Sequence, residues 1–525
     1  MKFISLFAAL AFLFSYATSA AYAAFGITDN DSNFVVDTGG GLVFTVNTAN
    51  GDITSLKYAG YECQDQTKFS QLSSGLGSAT VTYKVSGSYI VVFVRTDTLS
   101  HYYVAKSGDS TIYMATNIAS EPTVGELRWI TRLARTAFND GITAADVNGG
   151  TAIEGSDVFS LDGQTRSKFY SSVRFIENQV HGVSGAAGAA WMVVPGTGYE
   201  SSSGGPFFRD INNQGSAQQE LYFYMNSNHE QTEAYRTGLF GPYALVFTSG
   251  SKPSSSLDLS FFVDLDIGGA VGASSRGTAK GSISGIPSGF TAVVGFANSK
   301  EQYWTTASGS SYTSPLMKAS TYTVTLYKGE LEVATSSVAV TAGGTTTLNL
   351  ESAESTPSAI WSIGDADGTP SGFLNADKIE TMHPSDSRMS SWGPVTFTVG
   401  SSSVSSFPMA QFVDVNNPTT IKSTLTSSQI GARTLRIRTT SAFAGGRPQV
   451  TVNSWTSSIP AAPTAVDSRG VTRGTWRGIN ELYEYAIPSG TLVAGSNTIT
   501  INIVSGSSGD DFLSPNVVYD SIELY

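Results

Sequence analysis

Apolar residues in this chain recur at every second position in short runs, and glycine and small polar residues break the runs. In residues 320–334 (STYTVTLYKGELEVA), Tyr322, Val324 and Leu326 fall on one side, Lys328-Gly329 supplies a turn, and Leu331 and Val333 resume the alternation. A repeat of two places side chains on opposite faces of a strand, whereas a helix needs apolar positions three and four apart. No sustained heptad pattern competes with it. The 54 glycines and 23 tyrosines among 525 residues agree with short strands joined by tight turns. The expected fold is all-β, and at about 150 residues per domain the length fits three domains.

Residues 274–353 hold several alternating runs, including 290–296 and 345–350, which is the size and pattern of a small fibronectin- or immunoglobulin-like sandwich. The polar, aperiodic stretch 351–357 (ESAESTP) ends in proline and reads as a linker. The segment behind it, 354–525, is again strand-rich and closes with 517–524 (VVYDSIEL), a final strand suited to a jelly roll. The leading segment, 24–273, is too long for one simple sandwich and fits a large multi-strand one.

Composition excludes several functions. With 40% hydrophobic and 14% charged residues, the chain is not of the disordered class. Its net charge of −12 offers no basic excess to displace counterions from nucleic acid. The lone Cys63 excludes an internal disulfide framework and a thiolate metal cage. His101, His181, His229 and His383 lack HExxH or His-x-His spacing, and neither a GxSxG elbow nor a Walker loop is present. Met1-Lys2, the apolar run 3–14 and Ala21-Tyr22-Ala23 read as a secretory leader over residues 1–23, with the mature chain starting near Ala24. Asn30-Asp31-Ser32 is a glycosylation sequon. No later segment is long and apolar enough to span a membrane as a helix. A secreted monomer is expected, without membrane or nucleic-acid partners.

Because charge is scarce, clustered charge is informative. In 125–133 (GELRWITRL), Glu126, Arg128, Ile130 and Arg132 share one strand face, and two arginines on one face can clamp a carboxylate. In 165–170 (TRSKFY), Arg166, Lys168 and Tyr170 share a face if the segment is extended, and neighbouring cations would make Lys168 a weaker holder of its proton. In 221–229 (LYFYMNSNH), Tyr222 and Tyr224 face one way while Leu221, Phe223 and Met225 face the other. His229 then emerges at a strand end, where it can serve as a proton donor. The Ser- and Gly-rich stretch 199–206 (YESSSGGP), with Glu200, reads as a polar loop lining a cleft. By pattern alone the two charged clusters also read as solvated surface charge, His229 as a packing or capping residue, and 199–206 as an ordinary surface loop. Asp365-Ala366-Asp367-Gly368 imitates the opening of a calcium loop without its remaining ligands. A turn is the favoured reading, with structural calcium as the alternative. Arg447, Arg469, Arg473, Trp476 and Arg477 offer the last segment a uronate-binding face or plain surface charge.

Taken in order, GELRWITRL (125–133), GTAIEGSDVF (150–159), TRSKFYSS (165–172), YESSSGGPF (199–207), YFYMNSNHEQTE (222–233), MHPSDSRMSSWGP (382–394), FAGGRPQ (443–449) and DSRGVTRG (467–474) resemble the fungal rhamnogalacturonan lyases of polysaccharide lyase family 4 over essentially the whole mature chain. The resemblance implies a large β super-sandwich, then a fibronectin type III-like domain, then a carbohydrate-binding-like jelly roll. It implies β-elimination at the rhamnose–α-1,4–galacturonic acid bond of the pectin backbone, with no cofactor required. By the matching blocks, Lys168 falls on the family's base, His229 on its acid, Arg128 on its arginine with Arg132 one period further, and Tyr222 and Tyr224 on its tyrosines. Glu200 completes the expected substrate-binding set. In such a site a cation neutralises charge developing beside the uronate carboxylate. The net acidity of the chain then predicts a locally basic groove on an acidic surface. Two other readings of the residues stay open: a two-carboxylate glycoside hydrolase using Glu126 and Glu154, and a non-catalytic pectin-binding protein.

Overall fold

The computed structural model describes residues 24–120, 126–141, 145–229, 231–354, 358–464 and 470–525. The leader, Gly125, part of the linker and Arg469 therefore lie outside the described residues. Elsewhere the alternation becomes sheet, and helix is limited to short 3-10 turns among the described residues. Tyr322, Val324 and Leu326 are fully buried, with Thr321 and Thr323 on the outer face. The strand Ser320–Lys328 turns at Gly329, with φ +62°, into Leu331–Val340.

In the leading domain an antiparallel seven-stranded sheet, whose centre is Gly238–Thr248, Thr111–Ile118 and Leu99–Lys106, packs against two further sheets. One is a five-stranded meander from Gly26–Asp29 to Tyr61–Glu62. The other has four strands, with Glu126–Leu133 and Gln219–Ser227 paired at its centre. All three contribute to one core: Phe44 from the meander, Tyr103 and Met114 from the large sheet, Trp129 and Phe223 from the four-stranded sheet. Cys63 is fully buried there, and burial pushes its thiol up to about 11. His101 stacks on Trp129 at 5.4 Å, and burial pushes it down to about 3, so it is a neutral core residue.

The second domain packs the sheet containing Ser320–Lys328 on one built around Arg276–Ser284. The close fit is visible at Gly281, where a β-carbon would lie 1.8 Å from the Leu348 carbonyl oxygen. The third domain packs two five-stranded sheets, and the final strand Asn516–Leu524 runs through the interior of one of them, between Trp361–Ile363 and Arg433–Phe443. The fold is thus the expected all-β series: a super-sandwich, a fibronectin-like sandwich and a jelly roll. Among the described residues no helix is long and apolar enough to cross a membrane.

Charged contacts join the domains. Glu330, buried on the second, meets Arg174 of the first at 2.6 Å and Arg477 of the third at 3.6 Å. Arg209 of the first meets Glu380 of the third at 2.6 Å.

Candidate active site

The site is built on the central strand pair of the four-stranded sheet. Across that pair Arg128 lies opposite Tyr224, Ile130 opposite Tyr222, and Arg132 opposite Glu220. Leu127, Trp129, Leu133, Leu221, Phe223 and Met225 point into the core, so strand pleating sends the arginines and tyrosines out of the opposite face together. Arg128, Arg132 and Tyr222 floor a cleft of about 450 Å³, with Tyr224 and His229 outside its lining, and its charged residues are Lys68, Arg128, Arg132 and Lys168 against the single acid Glu220. The expected basic groove is present on a chain of net charge −12.

Lys168 arrives by a different route from the one expected. The strand Gln164–Ser167 stops at Ser167, whose hydroxyl accepts the Phe169 N–H at 3.2 Å and starts a 3-10 turn, Lys168–Ser171. Arg166, Lys168 and Tyr170 therefore do not share an extended face. Arg166 donates to the Asp146 carbonyl at 3.2 Å, Tyr170 turns toward the third domain, and Lys168 enters the cleft with Nζ 6.0 Å from the Phe159 ring centre. The Lys168 amine is held below the ordinary lysine value, mainly by burial. Asp157 and Glu220 oppose that shift, and Arg128 and Lys68 reinforce it. Desolvation rather than the neighbouring cations is thus the larger cause.

His229 follows the strand end at Ser227, as expected. Its Nδ1 lies 2.8 Å from Asp210 Oδ2 and 2.9 Å from the Ser227 hydroxyl, and its Nε2 lies 2.9 Å from Glu126 Oε1. Burial disfavours the charged ring, but the Asp210 carboxylate outweighs it and holds the imidazole above the ordinary histidine value. Glu126 also pairs with Arg128, so one carboxylate links the arginine to the histidine. Phe169, next to Lys168, sets its ring edge-on to His229 at 5.1 Å, which places the amine-bearing turn and the imidazole in one neighbourhood.

The tyrosines are held rather than free. Tyr222 donates to Glu220 Oε2 at 2.5 Å, and Arg128 lies over the Tyr224 ring at 5.5 Å. Arg132 donates to Glu220 Oε1 at 3.1 Å and to the Phe69 carbonyl at 2.8 Å. Glu220, which also accepts from Gln214, thus orients both a cation and a phenol. Alternation in QELYFYMNS places Glu220 on the Tyr222 face, a signal that was present in the sequence. Asp210 carried none, because its partners come from elsewhere in the chain.

Glu200 is a correction. It is 3% exposed and lies at the contact with the second domain, not in the cleft. Arg276 pairs with it at 2.7 Å, Lys318 at 3.0 Å, and the Tyr303 hydroxyl donates to it at 2.8 Å. These partners outweigh burial and hold its carboxyl below the ordinary range. A Ser- and Gly-rich stretch reads as a surface loop, but Tyr199–Ser203 is wholly buried. The other carboxylates proposed as a hydrolytic pair are also engaged. Glu126 is bonded as above, and Glu154 accepts from Thr472 at 3.0 Å and faces His383 at 3.3 Å. His181 is half-buried, bonded to Asn178 and the Tyr222 carbonyl, and pushed down to about 4 mainly by desolvation. Asp367 accepts from Thr369 and donates its N–H to Asp520, forming a turn. Among the described residues no group of three or more His, Cys, Asp or Glu is placed to hold a metal.

Comparison with known proteins identifies the family of the chain. The family described as rhamnogalacturonan lyase B, N-terminal, matches residues 25–269, and those described as polysaccharide lyase family 4, domains II and III, match 275–348 and 359–524. A probable rhamnogalacturonate lyase A of Aspergillus terreus is 57% identical over 505 residues, covering 95% of each chain. The rhamnogalacturonate lyase A of Aspergillus aculeatus is 55% identical over 521 residues, covering 97% of this chain and 98% of the relative. The rhamnogalacturonate lyase A of Emericella nidulans is 55% identical over 512 residues, covering 96% of this chain and 97% of the relative. With a matching N-terminal domain, both later domains and full-length relatives of this similarity, the chain belongs to polysaccharide lyase family 4.

Proposed function

We infer that this protein is a secreted rhamnogalacturonan endolyase that cleaves the rhamnose–α-1,4–galacturonic acid bond by β-elimination. The observation that carries the reading is the cleft itself: Arg128, Arg132 and Lys168 converge on one face of a chain whose full-length relatives are named rhamnogalacturonate lyases.

The proton on C5 of a uronate is weakly acidic while the adjacent carboxylate is negative. Arg128, with Arg132 behind it, neutralises that carboxylate and the enediolate charge that grows on it. A buried lysine spends more time as the neutral amine, so Lys168 takes the C5 proton. The electron pair forms the C4–C5 double bond as the C4–O bond breaks. The departing glycosidic oxygen, still attached to rhamnose, takes a proton from His229, whose charged form Asp210 favours. The products are a rhamnose reducing end and a 4,5-unsaturated uronate. Tyr222, which lines the cleft, forms part of the wall against which a sugar ring packs, and Tyr224 supports Arg128. The scheme calls on no metal ion, and turnover is expected to survive a chelator.

The test is incubation of the protein with de-arabinosylated rhamnogalacturonan. Ultraviolet absorbance of the unsaturated uronate should rise together with the number of chain ends. New reducing ends without absorbance would indicate a hydrolase. Retention of polymer with neither would indicate a binding protein.

A further inference from the structure

One turn of the third domain reaches the Lys168 turn of the first. Gly470–Arg473 forms a short 3-10 helix packed against Lys168–Ser171. Gly474, with φ +79°, follows, and a β-carbon there would lie 2.7 Å from the Tyr170 ring, so glycine allows the two turns to close. Thr472, within the turn, is anchored on Glu154. Arg473, at its end, places Nη2 2.8 Å from Asp157 Oδ2 and its guanidinium 5.4 Å from the Phe169 ring centre. Asp157 is bound to the base by its main chain, since the Lys168 N–H donates to its carbonyl at 3.1 Å.

We propose that Arg473 is a positioning residue of the active site, supplied by the third domain to pair with Asp157 and so weaken the pull of this carboxylate on the Lys168 amine. The inference rests on Lys168 being the base. Four charged groups act on the amine: Glu220 from the strand Gln219–Ser227, Arg128 from Glu126–Leu133 and Lys68 from the loop before Gln71–Leu72, which line the cleft with it, and Asp157 from the turn after Thr151–Glu154, whose carbonyl holds the Lys168 N–H. Asp157 is the strongest of the four and favours the ammonium form. A guanidinium in contact with that carboxylate opposes its field at the amine. Arginine suits the task because it stays charged at every working pH. The His229 side of the site contains Asp210 and Glu126, and Arg473 and Asp157 act on it with opposite sign. The third domain is thereby part of the catalytic unit rather than only an appended binding module.

The pH profile of kcat/KM separates this role from a structural one. In Arg473→Gln the rising, low-pH limb, which reports loss of the Lys168 proton, should move to higher pH by about one unit. In Asp157→Asn it should move to lower pH. The double variant should return close to the wild-type position, because the charge that Arg473 screens is gone. Arg473→Lys should shift the limb less than Arg473→Gln. If Arg473→Gln lowers kcat equally at every pH and lowers the melting temperature with the limb unmoved, Arg473 only holds the domains together and the proposal is overturned. Should that variant not fold, Asp157→Asn decides, and an unmoved limb there overturns it as well. Lys168→Gln keeps the two failures apart. Turnover that survives in Lys168→Gln refutes the base assignment, whereas a dead Lys168→Gln beside an unshifted Arg473→Gln refutes only the present inference.

Discussion

Two charge clusters of the leading domain, one buried and one lining the cleft, end in opposite electrostatic states. Around Glu200, one carboxylate is met by Arg276, Lys318 and the Tyr303 hydroxyl, with Glu301 3.7 Å from the same lysine, so every charge is answered. Around Lys168, four basic side chains line the cleft with Glu220, while Asp157 and Glu126 are already paired with Arg473 and Arg128. The first cluster is complete without a ligand and joins two domains. The second is left short of negative charge, which a polyuronate supplies. A charged group at the end of a conspicuous motif is therefore a poor guide by itself. The balance of the whole cluster distinguishes scaffold from site.

The sharpest way to break this contrast is to exchange the consequences. Lys168→Ala should reduce kcat by about 10⁴-fold, at the upper end for a general base and equivalent to ~5 kcal/mol of barrier, with thermal unfolding unchanged. Glu200→Ala should do the reverse. Leaving Arg276 and Lys318 buried without their carboxylate should destabilise the fold by about 3–5 kcal/mol, read in denaturant melts, while kcat at a permissive temperature holds. A Glu200 variant that melts normally and loses turnover would return that residue to the cleft. Because its partners hold Glu200 below the ordinary range, its stabilisation is full above the unfolded-state value of about 4.3 and is lost as pH falls through the folded value. Glu200→Gln should therefore flatten that part of the acid-unfolding curve.

Smaller effects sharpen the picture inside the cleft. Arg128→Ala should lower kcat by about 10²–10³-fold, as loss of a charge-stabilising donor does, and Arg128→Lys should recover part of it. Asp210→Asn should change the profile more than the maximum. Without the carboxylate, burial pulls the His229 value down, so the falling, high-pH limb of activity should move to lower pH by about one unit. A limb that stays in place would remove His229 from the role of acid.

Local pattern carried much of this. The two-residue repeat in 126–132 and 220–224 placed Arg128, Arg132, Tyr222 and Tyr224 on one face, and the strand pairing supplied that face. His229 was legible as the residue past a strand end. Lys168 was legible as a site residue but for the wrong geometry, because the Ser167 cap that bends the chain was read as one more strand position. Glu200 was misread for a reason of distance. Arg276 stands 76 residues away and belongs to the next domain, so nothing near Glu200 in the chain announces its burial. The same holds for Asp210 and Arg473, whose meaning depends on side chains brought in by folding.

Cys63 has one practical consequence. Sulfur chemistry proceeds through the thiolate, and this thiol is both sealed in the first core and pushed up to about 11. Glutathione and thiol-alkylating reagents should therefore leave Cys63 of the native protein unmodified. With no second cysteine to pair with, the durability of the chain rests on sheet packing and the charged joints between domains, without an internal disulfide.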